Sequence, residues 1–390
     1  MHILHLPSWY STSDKPWRGM FVRDQALALS AAGVQVGVAF VERRSLSRFN
    51  GLNLTASHFQ TEVQDEDDVP TIRMKGWSTF AQTVTGSLLW SHLMRRLVES
   101  YAVVYGVPDL IHGHAALWGG YAAMLASRAL QCPFVVTEHS SSVLTAELSP
   151  TQRQHAADVY RSASAVIAVS RNLKSSVDAV VGTPVAEVVP NTVDCDYFTI
   201  PPPRQKGAPF TFLAVCDLVS YKRVDLLIRA FARLNVRHPN TRLVIAGAGK
   251  DGRRLRALGR ALVPQARIEF TGALPRWQVR QWMRQAGALV LCSDHETFGV
   301  VLIEAMATGI PVIATRSGGP EDIVMPDTGI LVDCDDSEAL LRGMTEILRG
   351  RFDPTAIREN VRRRFGYPVI ANRLHTVYER LLGHSHQEVA

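Results

Sequence analysis

The sequence predicts an α/β protein made of two doubly wound domains, and three observations support this class. The chain has 390 residues, which suits two domains of ordinary size. Short apolar runs alternate with segments of helical periodicity, as in parallel sheets with crossover helices. The alternation stops at residues 199–209, which contain four prolines, and then restarts. We therefore expect a domain at residues 1–198, a linker at 199–209, a second domain at 210–367, and ligands between the domains at the carboxyl ends of the strands.

The individual elements follow from the positions of the apolar runs. In the first half, strands are expected at residues 3–6, 35–40, 110–111, 134–137 and 165–169, and helices at 21–32 and 121–130. In the second half, strands are expected at 211–215, 242–246, 267–270, 288–292 and 310–314, with helices at 224–237 and 278–286. A last helical pattern covers residues 367–382, and the acidic stretch 65–68 is typical of a solvated loop.

The composition is that of a globular enzyme. Hydrophobic residues make up 46% and charged residues 20% of the chain. No apolar run reaches the 18 residues of a membrane-spanning helix, and the first residues lack the pattern of a signal peptide. Five dispersed cysteines indicate reduced thiols rather than disulfides or a zinc site. These observations predict a cytoplasmic protein.

The net charge of +6 is uneven, since residues 196–390 carry 27 Lys and Arg against 20 Asp and Glu. Such an excess fits either solvated helix faces or an anionic partner, and it leaves open a peripheral contact at the inner face of a membrane. Nucleic acid is not expected as a partner, because the arginines are not interleaved with aromatic residues and no binding motif is present.

The most informative segment lies at residues 290–332. Glu296 follows the expected strand 288–292, and Glu304 lies eight residues later on the helix that follows. Gly299 near the helix start leaves backbone N–H groups available to an anion, and the helix dipole favours negative charge there. The spacing thus provides one carboxylate for a sugar, N–H donors for a phosphate, and a second carboxylate for two ribose hydroxyls.

This segment resembles the E-x7-E signature of retaining glycosyltransferases with the GT-B fold, in family four. Further matching blocks occur in the expected order, namely Pro16 to Val22, Thr137-Glu138-His139, Val189 to Asp194, Lys222 with the helix after it, and Gly318-Gly319. The resemblance covers most of the chain. It implies two Rossmann-like domains facing each other across a cleft, with a terminal helix at residues 368–384 that packs back on the first domain.

The resemblance also implies roles for residues of the second domain. Lys222 binds the donor diphosphate together with the segment Phe298-Gly299-Val300. Glu296 orients hydroxyls of the donor sugar and Glu304 binds the ribose. Leu274 lies where related enzymes read the base through the backbone. Gly318-Gly319 is expected to form a tight turn rather than a ligand contact.

In the first domain, the resemblance places His139 at the donor sugar and the reacting centre. His112 and His114 either share that environment or simply hydrogen-bond the loop. Gly19 lies between the first strand and the first helix, where glycine allows backbone to approach a phosphate or acceptor closely. Arg18 beside it is a candidate partner for an anionic group.

One position departs from the family pattern. Where the family has an arginine five residues before the lysine, this chain has Asp217. A carboxylate near a diphosphate is repulsive. Asp217 either turns away or pairs with Lys222 or Arg223, and we favour the local pair.

No metal ion and no cofactor are expected. No D-x-D pair follows a strand of the first domain, and the pair Asp333 and Asp335 lies past a later strand, on the far side of the proposed site. Lys222 and a helix N-terminus can neutralise the phosphates instead.

The sequence therefore predicts a retaining, metal-independent glycosyltransferase with two substrates, a nucleotide-diphosphate sugar as donor and a glycan or lipid-linked saccharide as acceptor. An envelope or exopolysaccharide role is expected by association with this subgroup. A non-catalytic GT-B protein, either a sugar-nucleotide sensor or a partner subunit, is the main alternative because of Asp217. An epimerase or phosphorylase on the same fold explains the E-x7-E block less well.

Overall fold

The structure, a computed structural model, describes residues 1–12, 15–45, 59–78, 83–203, 207–264, 267–350 and 352–385. It divides into two compact units, Met1–Pro190 with Ile370–Ala390, and Asn191–Val369. The first unit thus ends at Pro190 rather than at residue 198, because Val193 pairs with Gly366 and the Thr192 hydroxyl donates to the Phe365 carbonyl at 2.9 Å. Of the expected linker 199–209, residues 204–206 lie outside the described residues.

The first unit is a parallel sheet with one antiparallel edge strand. Its strands are β1 (His2–Pro7), β2 (Gln35–Ser45), β3 (Gln60–Glu66), β4 (Val69–Ser78), β5 (Leu110–His114), β6 (Phe134–Glu138), β7 (Ala165–Ala168) and β8 (Ala186–Val188). They lie in the order β3-β4-β2-β1-β5-β6-β7-β8, and only β3 runs antiparallel to its neighbour. Because β1 and β5 are adjacent, His5 is paired in register with His112.

Its helices are α1 (Met20–Ala31), α2 (Val84–Tyr105), α3 (Tyr121–Leu130), α4 (Ser141–Leu144), α5 (Pro150–Ser162) and α6 (Arg171–Val181). The segment Ala115–Gly120, which is kinked at Leu117 (φ −106°, ψ 104°), joins β5 to α3.

The second unit is a fully parallel six-stranded sheet. Its strands are β9 (Phe210–Val215), β10 (Thr241–Ala246), β11 (Ile268–Gly272), β12 (Ala288–Leu291), β13 (Val312–Thr315) and β14 (Gly329–Val332), in the order β11-β10-β9-β12-β13-β14. Its helices are α7 (Val224–Arg237), α8 (Gly252–Leu262), α9 (Arg276–Gln285), α10 (Val300–Ala307), α11 (Ser337–Ile347) and α12 (Pro354–Phe365). The last helix, α13 (Tyr367–Ser385), starts in this unit and belongs to the first unit from Ile370 on.

Amphipathic helices build the core of the second unit. Along α7, Leu227, Phe231 and Leu234 recur at helical spacing and are buried among the side chains of β9 and β10. Burying each such side chain contributes roughly 1.5–3 kcal/mol. The apolar core fixes the strands, so the polar segments at their carboxyl ends are held in place.

The α/β class and the two parallel sheets are confirmed, and several element bounds match the expected ones, as α3 and α7 do. The expectation of a solvated loop at residues 65–68 is confirmed for residues 67–68 and was wrong for residues 65–66. Asp65 and Glu66 end β3, and Asp67 and Asp68 form a hairpin turn with φ values of 54° and 64°. Aspartate tolerates this left-handed backbone, which the turn requires at both central positions.

Candidate active site

In the second unit, Lys222 and Glu296 form the centre of the candidate site. Lys222 lies in a 3-10 turn (Ser220–Lys222) between β9 and α7, and Glu296 lies in the loop between β12 and α10. Because β9 and β12 are neighbours in a parallel sheet, their carboxyl ends bring the two side chains together. The Lys222 ammonium contacts Glu296 Oε2 at 2.5 Å, and the Ser293 hydroxyl contacts the same oxygen at 3.3 Å.

This pair is largely removed from solvent. The side chains of Lys222 and Glu296 are only 14% and 15% exposed. Burial by itself lowers the pKa of Lys222, but the charge of Glu296 and its hydrogen bond outweigh burial and raise that pKa above its usual value. Lys222 is therefore a fixed positive charge at neutral pH.

The start of α10 carries free backbone donors next to this pair. Gly299 precedes the helix with φ 99°, a left-handed conformation that glycine adopts without strain. Among the described residues, the N–H groups of Val300 and Val301 donate to no backbone carbonyl. Phe298 is buried and packs edge-on against Phe365, which anchors the turn. The helix start can therefore accept an anion.

Gly318 and Gly319 support the loop that carries Glu296. Gly319 N–H donates to the Glu296 carbonyl at 2.8 Å, and the Glu321 carboxylate accepts from Gly318 N–H at 3.0 Å. A Cβ at Gly319 would lie 2.3 Å from Phe298 Cα. The glycine pair thus allows two backbone segments to pack closely.

Glu304 is the fifth residue of α10 and faces α9. Its carboxylate lies 3.5 Å from the Arg276 guanidinium, and both side chains are mostly buried. Arg276 also lies over the rings of Tyr197 and Phe198. Leu274 lies in the short loop between β11 and α9, two residues before Arg276. Arg276 therefore contacts the residue expected at the ribose and lies two positions after the residue expected at the base.

The preferred expectation for Asp217, a pair with Lys222 or Arg223, was wrong. Asp217 is exposed and has no ion pair among the described residues. Lys222 is taken by Glu296, and Arg223 pairs with Asp294 at 3.0 Å and with Asp335 at 2.5 Å. Both basic residues are thus paired with other acids.

The aspartates of the D-x-D spacing are engaged with arginines. Asp335 pairs with Arg223, and Asp333 lies 3.5 Å from Arg316. In the part of the chain that the structure describes, the one cluster of side chains spaced to hold a metal ion consists of His5, His112 and His114.

In the first unit, Glu138 organises the loop that carries His139. Oε1 accepts from the N–H groups of His139 at 2.9 Å and Ser140 at 2.8 Å, and Oε2 accepts from Ala116 N–H at 2.9 Å and the Tyr160 hydroxyl at 2.6 Å. The carboxylate is completely buried, so these bonds replace its water. Burial and the neighbouring carboxylate raise the pKa of Tyr160 well above its usual value.

His139 lies directly after β6 and joins a chain of histidine rings. Its Nε2 lies 3.1 Å from His114 Nδ1, and His114 Nε2 lies 2.7 Å from His5 Nδ1. His112 bonds Thr137 and the Tyr378 hydroxyl, each at 2.7 Å. His112 therefore ties α13 to β5 and β6, whereas His114 holds His139. Burial lowers the pKa of His139 to about 3, so the ring is neutral near pH 7.

Gly19 precedes α1 with φ 69°, and a Cβ there would lie 2.3 Å from the Trp9 carbonyl oxygen. The close packing against Trp9 is by itself enough to require glycine at this position. Contact of Gly19 with a phosphate stays a prediction. Arg18 is exposed.

Sequence reasoning gave no role to Glu138, Arg276 and His5. Glu138 is adjacent to His139 in a block that matches the family, so its place near the site could be inferred from the sequence. Its hydrogen bonds could not. Nothing in the spacing of Arg276 or His5 indicated their partners, which lie 28 and 109 positions away along the chain.

No helix in the described part of the chain has both the length and the apolar character that crossing a membrane requires.

Comparison with known proteins covers both halves of the chain. The model described as Glycosyltransferase Family 4 matches residues 19–197, and the model described as Glycosyl transferases group 1 matches residues 199–364. Structurally, the chain is similar to sucrose-phosphate synthase from Thermosynechococcus elongatus, with a TM-score of 0.79, 21% identity, and 98% and 100% of the two chains covered. It is also similar to Anabaena HepE in complex with UDP, with a TM-score of 0.73, 20% identity, and 97% and 100% covered.

Sequence relatives extend the match. The chain is 28% identical over 364 residues to the candidate teichuronic acid biosynthesis glycosyltransferase TuaC of Bacillus subtilis, covering 88% of each chain. It is 31% identical over 260 residues to a GDP-mannose-dependent alpha-(1-6)-phosphatidylinositol monomannoside mannosyltransferase of Mycolicibacterium smegmatis, covering 61% of this chain and 68% of the relative. Against the gpi3 subunit of the phosphatidylinositol N-acetylglucosaminyltransferase of Schizosaccharomyces pombe, the match spans 61% of the relative. The chain belongs to glycosyltransferase family 4, the group 1 glycosyltransferases, and has their GT-B fold.

Proposed function

We propose that this protein transfers a sugar, with retention of configuration and without a divalent metal ion, from a nucleotide-diphosphate sugar to a hydroxyl of a glycan or lipid-linked saccharide. The observation that carries the proposal is the contact between Lys222 and Glu296 beside the open start of α10. A protonated lysine, backbone N–H donors and a carboxylate thus lie together at the carboxyl ends of two neighbouring strands.

The diphosphate binds at Lys222 and at the N–H groups of Gly299 and Val300. Negative charge grows on the leaving phosphate as the bond to the sugar breaks, and preorganised donors stabilise that charge. Lys222 then turns from Glu296 toward the phosphates, and its raised pKa keeps it protonated. This positive charge stabilises the leaving phosphate, as a metal ion does in metal-dependent enzymes, so no metal ion is required.

The nucleoside binds beside α9 and α10. Glu304 accepts two hydrogen bonds from the ribose hydroxyls, with its carboxylate orientation kept by Arg276 at 3.5 Å. Backbone groups at Leu274 read the base. HepE has been solved with UDP and with UDP-glucose, which supports a nucleotide-sugar donor for a chain of this fold.

The sugar is oriented by Glu296 and His139. Glu296, released from Lys222, accepts hydrogen bonds from sugar hydroxyls, and His139 lies at the reacting centre. The acceptor hydroxyl attacks from the face that the phosphate leaves, and a phosphate oxygen takes its proton. A glycan or lipid-linked acceptor is supported by the names of TuaC and the monomannoside mannosyltransferase.

A transfer assay tests the proposal. Purified protein is incubated with UDP- and GDP-linked glucose, mannose, galactose and N-acetylglucosamine and with a panel of lipid-linked saccharides, and the anomeric configuration of each product is determined by NMR. We expect transfer from one donor with retained configuration. Binding of a nucleotide sugar with no transfer to any acceptor would favour a non-catalytic sensor, and an inverted product would exclude the retaining mechanism.

A further inference from the structure

Three histidine rings of the first unit form a continuous buried chain. His5 comes from β1, His114 from β5 and His139 from the loop after β6. The two nitrogen–nitrogen distances in this chain are 2.7 and 3.1 Å, and each ring is at least nine-tenths buried. Both contacts are N–H···N hydrogen bonds, in which one ring donates and the next accepts.

Each end of the chain has one unused nitrogen. His5 Nε2 and His139 Nδ1 are buried and have no partner among the described residues. A neutral imidazole carries one N–H and one lone pair. Burial lowers the pKa of His5 and of His139 to about 3, and that of His114 well below its usual value, so all three rings are neutral.

The tautomers of the three rings are therefore coupled. In one arrangement His5 Nδ1–H donates to His114, His114 Nδ1–H donates to His139, and His139 keeps a proton on Nδ1. In the reverse arrangement His139 Nε2–H donates to His114, and His114 Nε2–H donates to His5. His5 then carries a buried N–H on Nε2, and His139 Nδ1 has only a lone pair. Each arrangement leaves one buried N–H without an acceptor in the protein, on His139 Nδ1 in the first and on His5 Nε2 in the reverse. His5 is completely buried within β1, whereas His139 lies in the loop after β6 and is 8% exposed. The first arrangement is favoured because it alone puts that N–H where water or a substrate can accept it.

We propose that His5 and His114 are positioning residues that fix the tautomer of His139, so that its Nδ1–H donates a hydrogen bond to an oxygen of the donor substrate at the reacting centre. The inference rests on the proposed function for the identity of that oxygen. It identifies the atom of His139 that acts and the reason why a neutral ring acts as a donor.

A metal site at the neighbouring cluster of His5, His112 and His114 is the competing interpretation. Two nitrogens bound to one tetrahedral zinc lie about 3.3 Å apart, since each Zn–N bond is about 2.0–2.1 Å. The contact of 2.7 Å between His5 and His114 is that of a hydrogen bond instead. Both nitrogens of His112 are also occupied, by Thr137 and Tyr378. The hydrogen-bonded chain explains these distances directly.

NMR of the full chain labelled with ¹⁵N-histidine tests the tautomers without any activity. Signals are assigned from the variants His5→Asn and His139→Asn. We expect His139 Nδ1 to carry a proton and His5 Nε2 to be bare at pH 7. A proton on His5 Nε2 with a bare His139 Nδ1 would overturn the proposal. So would stoichiometric binding of added Zn²⁺ that is lost in His5→Asn.

Two variants of His114 form a matched pair for kinetics. His114→Asn places its amide at the position of Nδ1 and keeps the donor to His139, whereas His114→Gln reaches the position of Nε2 and keeps only the link to His5. Both lose the ring that stacks on His112 at 4.3 Å. We expect His114→Gln to lower kcat roughly 100-fold, the scale of one lost transition-state donor, with the donor KM changed less than about threefold. His114→Asn should stay within about threefold of wild type.

Equal losses in the two His114 variants, or no loss in either, would refute the positioning role. Calorimetry with UDP and GDP checks that both variants still fold and bind nucleotide in the second unit. A wild-type protein without transfer from any donor would refute the proposed function instead, and the NMR result would still decide the arrangement of the histidine chain.

Discussion

Replacing Glu296 with glutamine should tighten nucleoside diphosphate binding while it abolishes transfer. In the free protein Lys222 contacts the Glu296 carboxylate at 2.5 Å, so an incoming diphosphate must compete for the same ammonium. Glutamine keeps the size of the side chain and removes its charge. The cation then becomes available, but the carboxylate that we assign to the sugar hydroxyls is lost.

The magnitude follows from the geometry of the pair. A phosphate oxygen in contact with Lys222 lies within about 5 Å of the Glu296 carboxylate, and two like charges at that distance cost about 3 kcal/mol at an effective dielectric constant of 20. Both side chains keep some contact with water, 14% and 15% of their surface, so part of this repulsion is screened. We expect a net gain of about 1–2 kcal/mol, which is roughly a 5- to 30-fold lower Kd.

Isothermal titration calorimetry with UDP or GDP, whichever the wild type binds, measures this change. Asp294→Asn is the matched control, because Asp294 lies in the same loop but pairs with Arg223 instead of Lys222. We expect unchanged affinity in the control. Unchanged or weaker diphosphate binding by Glu296→Gln, in a variant that unfolds cooperatively, would refute competition for Lys222. The variant should also lose about 1–3 kcal/mol of unfolding free energy, since the ammonium loses its counter-ion.

Glu304→Ala should weaken nucleoside diphosphate binding by about 1.5–3 kcal/mol, the loss of two ribose hydrogen bonds, and calorimetry showing equal affinity would exclude the ribose role. Turnover should survive EDTA, and activity lost on chelation but restored by Mg²⁺ or Mn²⁺ would contradict the metal-independent proposal. Burial lowers the pKa of four histidines in the folded protein. Below the ordinary histidine pKa of about 6.5, the unfolded chain therefore binds more protons than the folded chain does. Stability should therefore be full above pH 6.5 and fall as the pH drops toward 4, by up to about 1.4 kcal/mol per pH unit for each histidine, and urea midpoints that stay level would contradict this. Asp217→Arg should lower the donor Kd about two- to fivefold, the scale of an exposed ion pair, and Asp217→Asn should have a smaller effect; tighter binding in neither variant would count against this.

The fold was predictable because the spacing of apolar residues and the positions of turn residues determine where most helices and strands begin and end. The run at residues 224–237 has its apolar residues on one face, and the helix α7 has those bounds. The hairpin of β3 and β4 was not predicted, since β3 is an exposed edge strand whose side chains alternate little in polarity. The change of unit at Pro190 was also missed, because it depends on pairing between Val193 and Gly366, far apart in the sequence.

The positions of the candidate residues were predictable where a residue lies in the segment that follows a strand. Lys222, Glu296 and His139 all lie after the carboxyl ends of parallel strands, as expected. Their partners were not predictable in the same way. Glu138 makes its bonds to backbone groups of two loops, and Arg276 reaches Glu304 from another helix. Such contacts depend on how elements pack, and spacing along one element does not contain that information.

Asp217 shows how a wrong local expectation changes the argument about function. The favoured pair with Lys222 or Arg223 assumed that an acid near two bases takes one of them, yet Glu296, Asp294 and Asp335 take both. Glu296 and Asp294 lie in the loop after β12, and Asp335 lies in the loop after β14. Asp217 lies in the loop after β9 and is exposed. An exposed carboxylate is screened by water and can point away from a diphosphate at little cost. We therefore expect the missing arginine of the family pattern to weaken donor binding without blocking it, so that Asp217 argues less strongly for a non-catalytic protein.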